Sequence, residues 1–350
     1  MVRLKVGVAM SGGVDSTVAA SLVREQGHEV HGFFMLLSLP DLDEHLAQVR
    51  QVAGQLDIPL TLIDMRRHFT DEVIAYFTAT YQRGLTPNPC IHCNQAIKFG
   101  LLAETMRSQG MERIATGHYA RIDRRDDRPF VARGADRHKD QSYFLARLDG
   151  EQVGRILLPL GDWTKEWVYQ RAADLGLRFT GRESQDVCFL ASGLPVFLAG
   201  QGIDKQAGPV VTRDGRQLGQ HRGVWQYTIG QRRGLRLPDA TPWYVVGLDG
   251  VGNRVVVGKR DELFADRCTV HSSRWTHGPP ALPWRGLVQL RSRHQPASAE
   301  LTVVAADTWQ LVFASPQRAV TPGQFAVFYE DDLVVGSAVI AATTGTERGL

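Results

Sequence analysis

The amino-acid sequence predicts an α/β fold, a parallel sheet with helices on both faces, followed by an all-β C-terminal part. Three observations carry this prediction. Apolar runs of strand and helix periodicity alternate along the first half of the chain, the pattern of a parallel sheet built from strand–helix repeats. The first strand runs into two glycines with a helix directly behind them, the place where open α/β folds bind ligands. Beyond about residue 200 helical periodicity fades into short alternating runs separated by DG, GN and DD turns, which read as hairpins.

Taken in order, LKVGVAM from Leu4 is a buried strand. STVAASLVREQ from Ser16 is a helix with Val18, Leu22 and Val23 at helical spacing, stopped by Gly27. EVHGFFML from Glu29, PLTLIDM from Pro59 and ERIATGH from Glu112 are further strands, and EHLAQVRQVAGQL from Glu44 is the second helix. WTKEWVYQRAADLGL from Trp163 reads as an amphipathic scaffold helix with no special role. The β region comprises GPVVTRDGRQLG, PWYVVGLDGVGNRVVVG, RGLVQLRSR, ELTVVAADTWQLVFASP and GQFAVFYEDDLVVGSAVI. The expected domains are 1–199, 200–265 and 266–350.

A chain of 350 residues exceeds what one core organises. No apolar run approaches the 18 or so residues of a membrane span, and the N-terminus lacks a signal-peptide layout. The expectation is a cytoplasmic monomer. A net charge of +3 does not point to nucleic acid, but 34 of the 40 basic residues are arginine, whose planar fork suits phosphates and base edges. Codon usage in a GC-rich genome produces the same excess.

SGGVDS, from Ser11 to Ser16, closes the first strand. Gly12 and Gly13 allow a tight turn and close approach to a ligand. The helix behind them offers free N–H groups and a partial positive charge. Ser11 and Ser16 add hydroxyls, and Asp15 is a candidate to hold Mg²⁺ bridging phosphates. The loop fits neither the GK[ST] phosphate loop nor GxGxxG. A plain connecting turn would need neither serine nor the aspartate.

The chain has four cysteines, too scattered for a disulfide framework. Cys90 and Cys93 share the loop PNPCIHCNQ, Cys188 lies in ESQDVCFL, and Cys268 in ADRCTVHS reads as packing. For the first three the residues leave four readings open. They could pack a core, bind zinc without an evident fourth ligand, or form a redox couple without the thioredoxin strand context. They could also transfer sulfur, one cysteine carrying a persulfide that a second thiol releases.

SGGVDS after a first strand resembles the pyrophosphate loop of the N-type ATP pyrophosphatases, enzymes that adenylate a carbonyl oxygen and displace AMP with a nucleophile. The loop alone leaves the substrate open. TPNPCIHCNQAIKFG from Thr86, ATGHYAR from Ala115, KDQSYFL from Lys139, ESQDVCF from Glu183, GQHRGVWQYTIGQRRGL from Gly219, PWYVV from Pro242 and AVTPGQFAVFY from Ala319 together resemble the bacterial tRNA-specific 2-thiouridylases. The resemblance spans nearly the whole chain in the family's order. It implies a parallel-sheet ATP pyrophosphatase (adenine nucleotide alpha hydrolase-like) domain, a small β-rich central domain and a C-terminal β-barrel. The implied activity is ATP-dependent thiolation of the wobble uridine of tRNAs for Lys, Glu and Gln, with sulfur supplied by a cysteine desulfurase or relay protein.

The resemblance also implies roles. Ala9, Met10, Ser11, Gly12, Gly13, Val14, Asp15 and Ser16 match the ATP loop, and Met35 and Gly117 match further ATP contacts. Cys93 matches the nucleophile and Cys188 the persulfide carrier, and the two can form an alternate disulfide. Asn88, Pro89 and Cys90 match the segment touching the target base, with His118 beside it. Lys139, Asp140, Gln141, Arg291, Ser292 and Gln324 match tRNA contacts.

Two positions depart from the family. Cys90 stands where Asp is usual, so the general acid/base is in doubt. Cys90, Cys93 and Cys188 become a set able to hold three corners of a [4Fe–4S] cluster. FFMLLS replaces an MKNW-type segment on the adenine side. Arg232, Arg233 and Arg236, near Trp225 and Tyr227, form a candidate RNA-contacting turn. Arg291 and Arg293 are expected on one side of a strand. An amide-forming ligase using the same loop, or an RNA-binding protein without catalysis, are the alternatives. The first would not need Cys93 or Cys188, and the second would not turn ATP into AMP.

Overall fold

The computed structural model describes residues 2–39, 41–177, 187–190, 193–203 and 206–345. Glu183 to Asp186 of the ESQDVCF motif lie outside the described residues. The strands of the first half are β1 (Lys5–Ala9), β2 (Glu29–Leu36), β3 (Leu60–Asp64), β4 (Arg113–Ala115), a hairpin of β5 (Ala120–Arg125) and β6 (Arg128–Arg133), and β7 (Ile156–Leu157). Five of them form one parallel sheet in the order β3-β2-β1-β4-β7. Val6 and Val8 of β1 and Phe33 and Phe34 of β2 are fully or almost fully buried, as expected of strands covered on both faces. The helices α1 (Val14–Glu25) and α2 (Leu42–Gln55) begin where the sequence placed them, within two residues.

The strand order reverses between β1 and β4, so the loops leaving these two strands diverge at the carboxyl edge of the sheet. That switch point is where doubly wound sheets hold ligands. Both glycine-bearing loops singled out above, at Gly12–Gly13 and at Gly117, leave the sheet there.

The C-terminal half is all-β. A four-stranded sheet joins β8 (Gly208–Thr212), β9 (Gln217–His221), β10 (Tyr244–Asp249) and β11 (Arg254–Gly258) in the order β10-β11-β8-β9. The last six strands are β12 (Phe264–Trp275), β13 (Trp284–Gln289), β14 (Ala297–Ala305), β15 (Thr308–Arg318), β16 (Phe325–Glu330) and β17 (Leu333–Gly345). They run β12-β15-β14-β13-β16-β17, and β12 pairs with β17 to close a six-stranded barrel. Closure leaves these strands no free edge. Cys268 is fully buried in β12, consistent with packing.

Sequence periodicity missed the strand Ile156–Leu157, the helical run from Arg66 to Gln82 and a hairpin. The β5–β6 hairpin turns on Asp126 and Asp127, both at positive φ (50° and 59°), the geometry of a two-residue type I′ turn. The DD pair in RRDDRP was its signal. Its β6 adds to β17 through Leu333 and Ala132, so the barrel is stitched to the N-terminal sheet domain by backbone pairing. No helix of the described residues is long and apolar enough to cross a membrane.

Candidate active site

The SGGVDS loop is an organised turn. Gly12 sits at φ +79° against the α2 backbone. The Ser11 amide donates to the Ser16 hydroxyl (3.1 Å), and the Ser16 and Thr17 hydroxyls donate back to the Gly13 carbonyl (3.1 and 2.9 Å). Gly13 caps α1 without a side-chain bond, so the first turn of the helix faces the sheet edge with its amide dipoles. Ala9 ends β1, Met10 is buried beneath the loop, and Val14 anchors α1 beside it. Met35 lies near the end of β2, half-buried against the aromatic core. Gly117 follows β4 and backs onto α1: a Cβ there would lie 2.7 Å from the Asp15 carbonyl carbon and 2.8 Å from the Ser16 nitrogen. Only glycine permits that approach.

Asp15, expected as a magnesium ligand, is engaged by side chains of the protein. Its Oδ1 accepts from the Tyr119 hydroxyl and from the Lys165 ammonium, each at 2.6 Å. The helix Lys165–Asp174, read above as plain scaffold, delivers that lysine.

The cysteine loop is built by capping. Asn88 caps the short helix Pro89–Cys93, its side chain accepting from the Ile91 amide, with Pro89 at the first helical position. The barrel then clamps the loop from outside. Gln324 donates to the Thr86 and Pro87 carbonyls (3.1 and 3.0 Å), and its Oε1 faces the Asn88 amide at 3.5 Å. The Thr86 amide donates to the Pro322 carbonyl. A side chain 236 residues downstream of Asn88 thus shapes the loop, a contact no sequence periodicity could announce.

After Cys93 the helix widens to π geometry over Asn94–Leu102, a feature often found at functional sites. Phe99 lies within it, 5.9 Å from the His118 ring. His118 follows Gly117 directly and faces Phe99 of the helical segment that Cys93 leads into, and the Lys98 charge acts on both His118 and Cys93. Cys188 is exposed, but its neighbour Phe189 is buried, edge-on to Phe77 at 5.0 Å and packed on Phe197 at 5.0 Å. That aromatic plug brings the 188 segment to Cys90 and Cys93.

The three thiols share one electrostatic environment. Desolvation by the surrounding protein pushes all three upward, Cys93 to about 12, even though Cys90 and Cys188 keep exposed surface, and a thiolate at Cys188 disfavours one at either Cys90 or Cys93. The Lys98 charge pulls each of them back down. Burial drives the His118 imidazole well below its ordinary range, aided by Lys98, so it is neutral, with Nδ1 2.8 Å from the Thr116 hydroxyl. At pH 7.5 a thiol with a pKa near 12 is ionised to about one part in 10⁴–10⁵, against about a tenth for an unperturbed one. Alkylation of Cys93 by iodoacetamide, followed by peptide mapping, should therefore be slow at neutral pH and climb about tenfold per pH unit up to pH 10. Lys98→Met should slow it further at every pH; an unchanged rate would remove Lys98 from the site's electrostatics.

All four cysteines are free thiols. Among the described residues, which include all three sulfurs of the trio, no three His, Cys, Asp or Glu side chains converge closely enough to hold a metal ion. The iron–sulfur reading of Cys90, Cys93 and Cys188 gains no support from this arrangement.

The other expected tRNA contacts divide. Asp140 is buried, accepting from the Gly134 and Ser142 amides and the Ser142 hydroxyl and pairing with Arg133 at 3.3 Å. Gln141 is tied to Tyr119 through both backbone and side chain. These two shape the loop from inside, leaving Lys139 of that trio at its half-exposed rim. Arg291 and Ser292 are half-buried in a turn, because β13 ends at Gln289. The expected strand alternation of Arg291 with Arg293 does not hold, and Arg291 donates to the Arg318 carbonyl at 3.3 Å. Arg232, Arg233 and Arg236 are exposed, whereas Trp225 is buried in the core and offers no stacking surface.

A doubly wound sheet with an anion-binding loop at its switch point, a thiol-lined wall beside it and an appended barrel define an ATP pyrophosphatase-type enzyme. Family models match along the chain: one described as tRNA methyl transferase HUP domain over residues 4–192, one as tRNA methyl transferase PRC-barrel domain over 196–259, and one as Aminomethyltransferase beta-barrel domain over 265–340. The chain is 44% identical to the tRNA-specific 2-thiouridylase MnmA of Desulfotalea psychrophila, over 97% of this chain and 100% of that one. It is 42% identical to the protein of the same name from Syntrophotalea carbinolica (95% and 97% covered) and 41% identical to that of Geobacter metallireducens (97% and 97%). The chain belongs to the tRNA-specific 2-thiouridylase family. Among solved structures, the U34-tRNA thiolase NcsA of Methanococcus maripaludis, determined with its [4Fe-4S] cluster, superposes at 16% identity over 54% of this chain and 63% of that one, with a TM-score of 0.35; a likeness so remote carries nothing further here.

Proposed function

We propose that this protein thiolates the wobble uridine of tRNAs for Lys, Glu and Gln, taking ATP to AMP and pyrophosphate. The reading is supported by the chain of neighbours from the SGGVDS loop through Gly117 and His118 to the helix that Cys93 leads into, with the Lys98 charge acting on both His118 and Cys93. Adenylation chemistry and a sulfur nucleophile need that adjacency. Two family models are described in terms of methyl transfer, but methylation calls for neither a pyrophosphate loop nor paired thiols.

MgATP is the substrate, its phosphates on Ser11–Ser16 and its adenine toward Met35. The target base leaves the anticodon stack and enters beside His118, Asn88, Pro89 and Cys90, since a stacked base is out of reach. Uridine O2 attacks the α-phosphate and pyrophosphate leaves. The outer sulfur of a Cys188 persulfide then attacks C2, and AMP departs with the C2–O electron pair. The Cys93 thiolate attacks the inner Cys188 sulfur and breaks the S–S bond, so the outer sulfur stays on the base and a Cys93–Cys188 disulfide forms. An external dithiol reductant and a persulfide donor, a desulfurase or relay protein, reset the site. Desolvation raises the Cys90 thiol and lowers the His118 imidazole, so neither is a ready acid/base at neutral pH where the family uses Asp. The catalytic unit is assigned to residues 1–199, with 200–265 and 266–350 as docking modules.

Mass spectrometry of wobble nucleosides from cells lacking this protein tests the assignment: 2-thiouridine derivatives should vanish and return with the gene, and their persistence would refute it. Arg232→Ala with Arg233→Ala should weaken tRNA binding and reduce the slope of log K against log salt by up to about 2. Binding that is unaltered across a salt series would remove this turn from the RNA surface.

A further inference from the structure

Arg147 stands beside the cysteine loop without a counter-ion. Its guanidinium spans the seam between the sheet domain and the barrel. Nε donates to Gln95 Oε1 at 2.8 Å, Nη1 donates to the Ser272 carbonyl of β12 at 3.1 Å, and the centre of the Phe325 ring lies 5.5 Å away. Gln95 comes two residues after Cys93, and Phe325 follows Gln324, the clamp on Thr86 and Pro87. The Arg147 charge also acts on Tyr76 and His92, two rings stacked at 4.7 Å, and the Asn88 amide donates to the Tyr76 hydroxyl at 3.4 Å. The guanidinium and the segment expected to touch the target base therefore share one set of neighbours.

Both hydrogen-bond acceptors of Arg147 are neutral, and no Asp or Glu among the described residues pairs with it. Instead a second cation, Arg274, acts on it, and Arg274 takes Asp149 as its own partner at 3.0 Å. Holding a half-buried positive charge here is costly without an anion. A clamp between Gln95 and β12 would need only a neutral donor. Nε and Nη1 are pinned, whereas Nη2 donates to nothing among the described residues and is not sealed from solvent. That leaves one corner of a planar fork, held in a fixed orientation, for an oxyanion.

We infer that Arg147 binds a phosphodiester of the anticodon loop, at a linkage flanking the target uridine, and so holds the flipped base against Asn88, Pro89 and Cys90. Phosphate contacts fix register on a nucleic acid while base contacts specify sequence. A nucleotide turned out of its stack forfeits stacking energy that such a contact offsets. Arg147 is then a positioning residue for the thiolation. The inference rests on the assignment of tRNA as the substrate.

The test uses the full chain and tRNA for Lys ligated from fragments that carry an uncharged methylphosphonate at one anticodon-loop linkage at a time. On wild-type protein a linkage beside the wobble uridine should stand out, its neutralisation weakening binding by about tenfold or more, the scale of a hydrogen bond to a charged group. Arg147→Met should bind unmodified tRNA more weakly by about the same factor, with a salt slope lower by about 1, and should no longer register the methylphosphonate at that linkage. A linkage that costs Arg147→Met as much as it costs wild type overturns the proposal. So does a wild-type profile with no sensitive linkage beside the wobble uridine, a result that needs no variant and holds even if Arg147→Met folds poorly. Wild-type protein that binds no unmodified tRNA would instead bring down the substrate assignment, and the inference with it.

Discussion

Replacing Cys93 or Cys188 with serine is expected to cut 2-thiouridine formation by at least about 10³-fold, while ATP is still turned into AMP and pyrophosphate on tRNA. Serine preserves size and removes the sulfur, so a loss this large isolates chemistry from packing. Cys93 is half-buried and Cys188 exposed, so neither change opens a sizeable cavity and both variants should melt close to wild type. The split between the two readouts matters. In the proposed mechanism adenylation depends on the glycine loop and sulfur delivery on thiols carried by other elements, so the two half-reactions should separate. Pyrophosphate release and nucleoside mass spectrometry on the same samples decide the matter. Serine variants that retain modification would transfer the chemistry to a different nucleophile and favour the amide-forming alternative. Cys268→Ser serves as the control: it lies deep in the barrel, so it should lower stability without separating the half-reactions.

Gly117→Ala is expected to reduce kcat/KM for ATP by about 10² or more and to destabilise the protein by about 1–3 kcal/mol, the usual range for overpacking. The added methyl would stand 2.7–2.8 Å from the Asp15–Ser16 backbone, atoms that cannot swing aside as a side chain would. Either α1 or the β4 loop must shift, and both outcomes misalign the phosphate nest relative to His118. The proposed tRNA-binding arginines, Arg232 and Arg233, lie far along the chain from this contact, so tRNA affinity should hold. Kinetics at varied ATP, paired with a filter-binding assay for tRNA, checks this; a wild-type KM for ATP would mean that the close approach has no functional consequence. Gly27→Ala is the contrast, because its Cβ would meet nothing within 4 Å, although its φ of +85° still strains an alanine. That variant should lose stability only.

The local half of this protein was open to reading from the chain. Alternation within LKVGVAM and EVHGFFML marked core strands because the pleat sends successive side chains to opposite faces. Gly12 marked the turn because its φ of +79° is one that glycine accepts without strain. The spacing of Cys90 and Cys93 placed both on one loop. What misleads is also local: the LRSRHQ run suggests strand alternation for Arg291 and Arg293, whereas the strand ends at Gln289.

By itself the sequence determined the parallel sheet, the anion-binding turn, the all-β second half and the candidate thiols, since each depends on propensities and periodicities that span a few residues. Only the tertiary structure decided that Lys165 pairs with Asp15 across 150 positions, that Gln324 of the barrel clamps the Thr86–Asn88 loop, and that Lys98 is set among the thiols. These are long-range meetings of polar groups, produced when strand order and barrel closure bring distant segments together, and nothing in the local pattern of a chain encodes which buried charge will find which partner.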